Sequence, residues 1–271
     1  MLQEDAPFGD PTGDLIPEDC QREAFFLAKE DGIICGTDII PAVFKFLDPG
    51  MNIEIHCVDG EEIHKSKILA TLKGNIRSLL RGERIALNLI SYLSGISTQT
   101  NKYVRIVEPY GVKILDTRKT LPLYRTWVKQ AVKTGGGFNH RFSLSDLYMI
   151  KDNHIEALGG IDKAFEMLHL RNKSPFIKIE VEVKTLKEAL KALKYSPDII
   201  MLDNFAPKEV EEAMYYLKDK VIIEISGGIN LANIEEYAKL KPDYISVGSL
   251  THHVNSLDIS MKIKPEEKSE I

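Results

Sequence analysis

The chain has 271 residues, 44% of them apolar and 28% charged, and carries a formal net charge of −5. This is the composition of a globular protein with room for one large domain or two smaller ones. The acidic balance argues against nucleic-acid binding, and we expect neither a signal peptide nor a membrane span, since no apolar run approaches the roughly 18 residues that cross a bilayer. Three widely spaced cysteines favour reduced thiols and a cytoplasmic protein.

Residues 1–108 mix short strands with helices and are predicted to form an α+β domain. The domain opens with a turn-rich acidic arm, EDAPFGDPTGDLIPED. Strands are predicted at 32–36, 51–58 and 68–72, with a hairpin turn at Asp59-Gly60 between the last two. Helices are predicted from the capping residue Asp38 to about Leu47, and over 76–107 with a break near Ser94-Gly95.

In residues 109–252, apolar strands alternate with helices. Strands are predicted at 112–115, 147–150, 176–183, 199–202, 221–225 and 244–247, and helices over 162–170, 185–194, 207–218 and 230–239. This repetition predicts a parallel sheet in an incomplete α/β barrel. An open doubly wound sheet is the alternative, although no GxGxxG opens a helix after a strand. Residues 253–271 are predicted to return to the first domain as a strand at 256–263, followed by a frayed charged tail.

Residues 112–154 are basic, whereas the chain as a whole is acidic. They hold eight Lys/Arg and three acids, a local charge of 8 − 3 = +5. Such a reversal predicts an anion site within an acidic protein. Each predicted barrel strand also ends in polar residues, at the ends where α/β barrels carry their chemistry. These endings are 116–119, 151–154, Glu182, Asp203-Asn204, 226–228 and Gly248-Ser249.

The strand at 177–184 alternates apolar with charged residues, so its charged side chains are predicted to point into the barrel. Glu182 lies nearer the C-terminal end of the strand and is the catalytic candidate. Glu180 lies deeper and is predicted to pair with Lys178 or another cation, and a buried structural ion pair is the alternative for both glutamates. The SGG sequence at 226–228 precedes a predicted helix, whose N-terminal N–H groups can hold a phosphate.

Several motifs, in their order and spacing, carry a resemblance to a known family. They are LDTRKT, GGGFNHR, MIKDNH, EVEV, MLDN, ISGGI and YISVGSLTHHV. Together they resemble the decarboxylating quinolinate phosphoribosyltransferases, which are type II phosphoribosyltransferases. EDAPFGDPT and GERIALN resemble the N-terminal motifs of the same family. One departure is TLPLYR at 120–125, which replaces a Thr-x-Pro-Gly-Leu-Arg run and so removes a glycine beside the site.

The resemblance implies transfer of the phosphoribosyl group of phosphoribosyl diphosphate to quinolinate with decarboxylation, giving nicotinate mononucleotide for NAD biosynthesis. It implies that the catalytic residues are Lys119, Lys151, Glu182 and Asp203. It implies that the substrate-binding residues are Arg84, Arg118, His140, Arg141, Ser226, Gly227, Gly228 and Gly248. Mg²⁺ is implied as cofactor, bound mainly through phosphoribosyl diphosphate and water. A homodimer or a higher oligomer is implied, with Arg84 of one copy reaching the active site of the other.

Three other functions stay open on the sequence alone. The first is that of a related paralogue associated with molybdate transport, which is expected to lack the lysine of MIKDNH, so Lys151 argues against it. The second is a barrel aldolase that forms a Schiff base on Lys151. The third is a non-catalytic anion-binding protein. His252 and His253 are interpreted as loop or surface histidines rather than ligands.

Overall fold

The computed structural model describes residues 1–171 and 174–265, which form two compact units. Unit 1 comprises Met1–Gln99, Thr134–Gly136 and the described residues from Val254 onward, and unit 2 comprises Thr100–Lys133 and Gly137–His253. Residues 266–271 of the predicted tail lie outside the described residues. In the described part of the chain, no helix is both long enough and apolar enough to cross a membrane.

Unit 1 is built around an antiparallel sheet. Its elements are α1 (Leu2–Asp5), β1 (Gln21–Ala28), β2 (Gly32–Ile33), α2 (Ile39–Leu47), β3 (Asn52–Ile55), β4 (Glu62–Ile63), β5 (Ile68–Asn75), the first part of α3 (Ile76–Val107) and β12 (Ile259–Ile263). The four-stranded sheet has the order β12-β1-β5-β3, and β2 pairs with β4 in a separate ribbon. Phe26 of β1 and Phe44 of α2 are fully buried, with ring centroids 5.9 Å apart in an edge-to-face contact.

The structure of unit 1 agrees with the sequence predictions in part. The central strand β1 was not predicted. β3 and β5 pair antiparallel, and a turn forms at Asp59-Gly60, where the Glu61 N–H donates to the Val58 carbonyl at 3.0 Å, but the connection between the two strands also contains β4, which pairs with β2. Helix α3 runs without a break through Ser94-Gly95. Ser94 is buried, and its hydroxyl accepts the N–H of Cys35 at 3.0 Å. Gly95 lies so close to the backbone of Asn255 that an added Cβ would be 2.1 Å from the Asn255 carbonyl oxygen. Both residues therefore serve close packing and do not end the helix.

Unit 2 contains six parallel strands and their connecting helices. Its elements are the rest of α3, β6 (Lys113–Leu115), α4 (Arg125–Thr134), β7 (Tyr148–Ile150), α5 (Asp152–Leu158), α6 (Ile161–Leu170), β8 (Ile179–Val183), α7 (Leu186–Leu193), β9 (Ile199–Asp203), α8 (Pro207–Leu217), β10 (Ile222–Ser226), α9 (Ile234–Ala238), β11 (Tyr244–Ser246) and α10 (Ser249–His252). The sheet order is β6-β11-β10-β9-β8-β7. Successive strands from β7 to β11 are thus neighbours, and β11 returns to lie beside β6. This is the order of a barrel opened between β6 and β7, which confirms the predicted fold class.

The hydrophobic core of unit 2 lies between the strands and the helices. Alternate strand residues, such as Val181, Ile200 and Ile223, are fully or almost fully buried against apolar side chains of the helices, such as Phe165 and Val210. Burial of one such side chain stabilises the fold by about 1.5–3 kcal/mol. Because side chains alternate along a strand, packing these residues outward directs the residues between them to the inside of the barrel.

Candidate active site

A cavity of about 910 Å³ lies at the C-terminal ends of the parallel strands of unit 2. The predicted site residues that line it are Arg118, Lys119, His140, Arg141, Lys151, Glu182, Asp203, Ser226, Gly227, Gly228 and Gly248. Arg84 lies elsewhere, on α3 in unit 1, with an exposed guanidinium 3.3 Å from Glu83. The structure therefore brings all of the predicted barrel site residues together around one cavity.

Strand register places Lys151 beside Glu182. Ile150 of β7 pairs with Val181 of β8 in parallel, so the next residue of each strand faces the cavity side by side. Lys151 Nζ donates to Glu182 Oε2 at 2.7 Å. The backbone N–H of Lys151 donates to His154 Nδ1 at 3.0 Å, which holds this lysine at the start of α5. One strand further on, Asp203 ends β9 opposite Ser226 of β10.

Two arginines, Arg118 and Arg141, line the cavity. Burial lowers the pKa of Arg141, and the positive charge of Arg118 lowers it further. The Nε of Arg118 is buried and has no hydrogen-bond partner within the described residues. A buried guanidinium N–H without an acceptor is costly, and an anionic ligand would satisfy it. The two arginines therefore suit a planar substrate that carries carboxylates.

Asp116, the last residue before the polar turn after β6, is fully buried and holds the segment at 139–140. Its Oδ1 accepts Lys129 Nζ at 2.6 Å and the His140 N–H at 2.9 Å, and its Oδ2 accepts Asn139 Nδ2 at 2.7 Å. Lys129 Nζ also donates to the His140 carbonyl at 2.8 Å. Asp116 thus accepts the backbone N–H of His140, and Lys129 donates to its backbone carbonyl. We call this pair of side chains the His140 clamp.

The His140 side chain sits above two buried carboxylates. Its Nε2 lies 3.1 Å from Glu180 Oε2 and 3.5 Å from Glu224 Oε2. Burial lowers the pKa of His140, but the hydrogen bond to Glu180 and the charge of Glu224 outweigh it, so the pKa is raised. Burial and repulsion from Glu180 raise the pKa of Glu224 to about 8. Glu180 thus contacts His140, where the sequence predicted a pairing with Lys178 or another cation.

The loop after β10 differs from its prediction. The helix predicted over 230–239 begins only at Ile234, and the N–H of Asn230 is already bonded to Asn233 Oδ1 at 2.8 Å. A helix N-terminus therefore does not follow the SGG sequence directly. Gly227 and Gly228 instead have positive φ angles of 90° and 64°, and a side chain on Gly227 would overlap Asn204. Glycine here lets the backbone pass close to Asn204.

Glu224 and His252 are among the cavity residues that were not assigned to the site from the sequence. Glu224 interrupts the apolar strand IIEIS as Glu180 interrupts IEVEV, so the same alternation pattern could have found it. His252, interpreted from the sequence as a loop or surface residue, is exposed and also lines the cavity. Its Nε2 lies beside Gly248, where an added Cβ would be 3.0 Å away. Its position depends on the fold of α10 and has no sequence signal of its own.

The TLPLYR segment at 120–125, which departs from the family motif, still forms a turn. The Tyr124 N–H donates to the Leu121 carbonyl at 3.3 Å, and α4 begins at Arg125. Leu123, at the position where the family run has glycine, adopts a φ of +65° and is 97% exposed. A leucine therefore takes up a left-handed backbone conformation that glycine adopts without strain.

Comparison with known proteins agrees with this architecture. The family model of the quinolinate phosphoribosyl transferase N-terminal domain matches residues 10–94, and that of the C-terminal domain matches residues 96–262. The chain belongs to the quinolinate phosphoribosyltransferase family.

Related members of the family match over nearly their whole length. A Methanocaldococcus jannaschii protein named probable nicotinate-nucleotide pyrophosphorylase [carboxylating] is 44% identical, over 97% of this chain and 94% of that protein. A Bacillus subtilis protein of the same name is 41% identical, over 98% and 92%. The solved structure of the nicotinate-nucleotide pyrophosphorylase from Francisella tularensis has a TM-score of 0.92 at 40% identity, over 97% of this chain and 93% of that one. This quinolinate phosphoribosyltransferase chain thus shares the complete two-part fold of its family.

Proposed function

We propose that the chain transfers the phosphoribosyl group of phosphoribosyl diphosphate to quinolinate, with loss of CO₂, and forms nicotinate mononucleotide and diphosphate. The single observation that carries the proposal is the cavity in which Arg118 and Arg141 converge with an unsatisfied guanidinium N–H, in a chain of this family. Both substrates are polyanions, and they would repel each other without such a concentration of positive charge.

The proposed roles are those that the family resemblance implies, and the position of these side chains in the cavity supports them. Arg118 and Arg141 hold the two carboxylates of quinolinate, since a guanidinium binds a carboxylate through two parallel N–H groups. Lys119 and Lys151 face the phosphoribosyl diphosphate. Ser226 to Gly228 and Gly248 form the loops that receive its 5-phosphate. Loops after the last strands of an α/β barrel commonly bind phosphate in this way.

The reaction proceeds by exchange of one bond at the anomeric carbon. The bond from this carbon to the diphosphate oxygen breaks, and the pyridine nitrogen supplies the electron pair for the new bond. Glu182 and Asp203 stabilise the positive charge that develops on the ribose. The resulting pyridinium withdraws electrons, so the adjacent carboxylate leaves as CO₂ and the ring carbon takes a proton. Holding both substrates in reacting geometry supplies much of the acceleration.

We propose Mg²⁺ as cofactor, and the donor set of the cavity fits it. Glu182 and Asp203 present carboxylate oxygens, which are the ligand type that this hard cation prefers, and they would hold it through water. When bound, Mg²⁺ neutralises the diphosphate as it departs. Glu182 Oε2 also bonds Lys151, and Asp203 Oδ2 accepts Asn204 Nδ2 at 2.8 Å, so neighbouring groups orient both carboxylates.

Release of labelled CO₂ from carboxyl-labelled quinolinate tests the function. We expect release only when phosphoribosyl diphosphate and Mg²⁺ are both present. Lys151→Ala should abolish release and leave the fold intact. Lys191→Ala is the matched control, because Lys191 makes an exposed ion pair with Asp162 outside the cavity. Full activity of Lys151→Ala would remove this lysine from the mechanism, and imine trapping by borohydride would instead indicate an aldolase.

We further propose a homodimer in which Arg84 of one copy completes the cavity of the other. Arg84 is exposed on α3 and makes a contact only with its neighbour Glu83 among the interactions described for it. The test mixes two inactive variants, Arg84→Ala and Lys151→Ala, after dissociation. A shared site regains part of the activity, because a mixed dimer contains one intact site. No recovery from mixed dimers would show that Arg84 does not act across an interface.

A further inference from the structure

Two threonine hydroxyls join the loop after β6 to the helix that follows β11. Thr117 Oγ1 and Thr251 Oγ1 lie 2.8 Å apart. Strands β6 and β11 are neighbours in the sheet, with Leu115 opposite Ser246, so the segments that follow them run side by side. Thr117 lines the cavity, whereas Thr251 lies on α10 and is only 2% exposed. The contact therefore connects a buried side chain to the wall of the cavity, and we call these two residues the threonine pair.

The bonds on either side of this contact give it a direction. Thr251 Oγ1 lies 3.1 Å from the Gly248 carbonyl, which can only accept, so Thr251 donates its single hydroxyl hydrogen there. Thr117 then donates to Thr251 and accepts the Lys119 N–H at 3.1 Å. A continuous chain of hydrogen bonds thus runs from the Lys119 backbone through the threonine pair to the Gly248 carbonyl.

The bond between the two hydroxyls separates Thr251 from an ordinary helical threonine. Threonine in a helix often bonds the carbonyl three or four residues before it, so the Gly248 bond alone would be a local feature of α10. Thr117, in contrast, is 134 residues away in the sequence. Thr251 therefore makes a tertiary contact that ties two separate loops of unit 2 together.

The two ends of this chain of bonds lie close to each other in the cavity. Lys119 and Gly248 both line it, and a Cβ added to Gly248 would be 3.8 Å from Lys119 Nζ. The Lys119 ammonium thus lies beside the Gly248 backbone. Lys119 is exposed, and an exposed lysine side chain loses much conformational freedom when it binds a ligand. A backbone that is already held reduces that cost.

We propose that Thr251 is a positioning residue for phosphoribosyl diphosphate, which holds the Lys119 loop against Gly248 through Thr117. The inference rests on the proposed function, in which Lys119 faces the diphosphate and Gly248 receives the 5-phosphate. One ribose ring joins these two anionic groups, so the loops that bind them must keep a matching spacing. Thr251 acts through that spacing, because its only hydroxyl hydrogen is donated to Gly248.

Amide hydrogen exchange of the ligand-free protein tests the restraint without any substrate. Thr251→Val keeps the branched shape of the side chain and lacks the hydroxyl. In this variant the Lys119 amide should exchange several-fold faster than in the parent protein. The Val247 amide, which donates to the Leu115 carbonyl at 3.0 Å beside the sheet, should keep its rate. Equal exchange at Lys119 in the two proteins would overturn the proposal, because the threonine pair would then not hold this loop.

Steady-state kinetics in the CO₂ assay test the effect on the substrate. For Thr251→Val, kcat/KM for phosphoribosyl diphosphate should fall about 3- to 10-fold, the size of one neutral hydrogen bond. KM for phosphoribosyl diphosphate should rise, and KM for quinolinate should stay near its parent value. Thr251→Ser keeps the hydroxyl and should recover most of the loss. Equal losses in Thr251→Ser and Thr251→Val would show that packing of the methyl group matters rather than the hydroxyl, and would contradict the positioning role.

A double variant tests whether Thr251 acts through Lys119. Thr251→Val should cost less in a Lys119→Ala protein than in the parent, because the position of this loop matters less once the ammonium is gone. Fully additive losses would overturn the proposed route. Thr71→Val is the control, since Thr71 of unit 1 also loses a hydroxyl contact of 2.8 Å, to His56, and should match the parent.

The remaining outcomes separate this inference from the proposed function. If Thr251→Val does not fold, Thr251→Ala removes the same hydroxyl from a smaller side chain, and the same changes in exchange and KM are expected. An active parent with an unchanged KM for phosphoribosyl diphosphate in the variant would overturn the inference alone. A parent protein that releases no CO₂ would overturn the proposed function together with it.

Discussion

Replacement of Lys129 by methionine should destabilise the protein strongly. The Lys129 and Asp116 side chains are 5% and 0% exposed, and their charged atoms are 2.6 Å apart. Without the ammonium, the Asp116 carboxylate stays buried with only the N–H donors of Asn139 and His140. Loss of one partner of a buried ion pair costs about 3–5 kcal/mol, because the remaining charge has no compensation. We therefore expect a decrease of this size in the free energy of unfolding.

Urea unfolding followed by circular dichroism measures the effect, through the midpoint and the slope of the transition. The double variant Asp116→Asn/Lys129→Met removes the uncompensated charge, so it should lose less stability than the two single variants together. Lys191→Met is the control, since its exposed pair with Asp162 should contribute under about 1 kcal/mol. A Lys129→Met protein as stable as the parent would refute the view that this pair holds the His140 segment.

Three further predictions concern other parts of the chain. Leu123→Gly should raise the free energy of unfolding by about 1 kcal/mol, measured in urea, because it relieves a left-handed leucine with almost no packing to lose. Gly95→Ala should lower the melting temperature and cost about 3 kcal/mol, because the added methyl group overlaps the Asn255 carbonyl. Glu224 has a pKa raised to about 8 in the folded state, so it contributes stability that is present below its ordinary pKa of 4.5 and is lost as the pH rises through 8. Unfolding in urea across this pH range should thus show a steeper decrease for the parent than for Glu224→Gln, and parallel curves would contradict the assignment.

Most of the barrel was predictable because its signal is local. Strands such as Ile199–Asp203 are short apolar runs, and each ends in a polar residue that the sequence displays directly. Elements without such a signal were missed. Strand β1 mixes polar and apolar residues, and it is stabilised as a strand by pairing with β5 on one side and β12 on the other. β12 is more than 200 residues away in the sequence, so a local pattern does not reveal this pairing.

The site was predicted in part for the same reason. Lys151 and Glu182 follow or end their strands, and strand order alone brings them to one edge. The wrong break at Ser94-Gly95 arose because serine and glycine are weak helix formers in isolation. In the folded protein these residues allow a tight contact with Cys35 and Asn255, and the packing outweighs the local preference.

The sequence by itself determined the family, the order of the barrel strands and the polar residues at the ends of those strands, because hydrophobic periodicity and motifs are properties of neighbouring residues. The tertiary structure decided which side chains meet. His140 lies above Glu180 and Glu224 only because the register of the strands brings two acids from separate strands together beneath a third segment. Such a contact depends on distances between segments far apart in the chain, which periodicity does not encode.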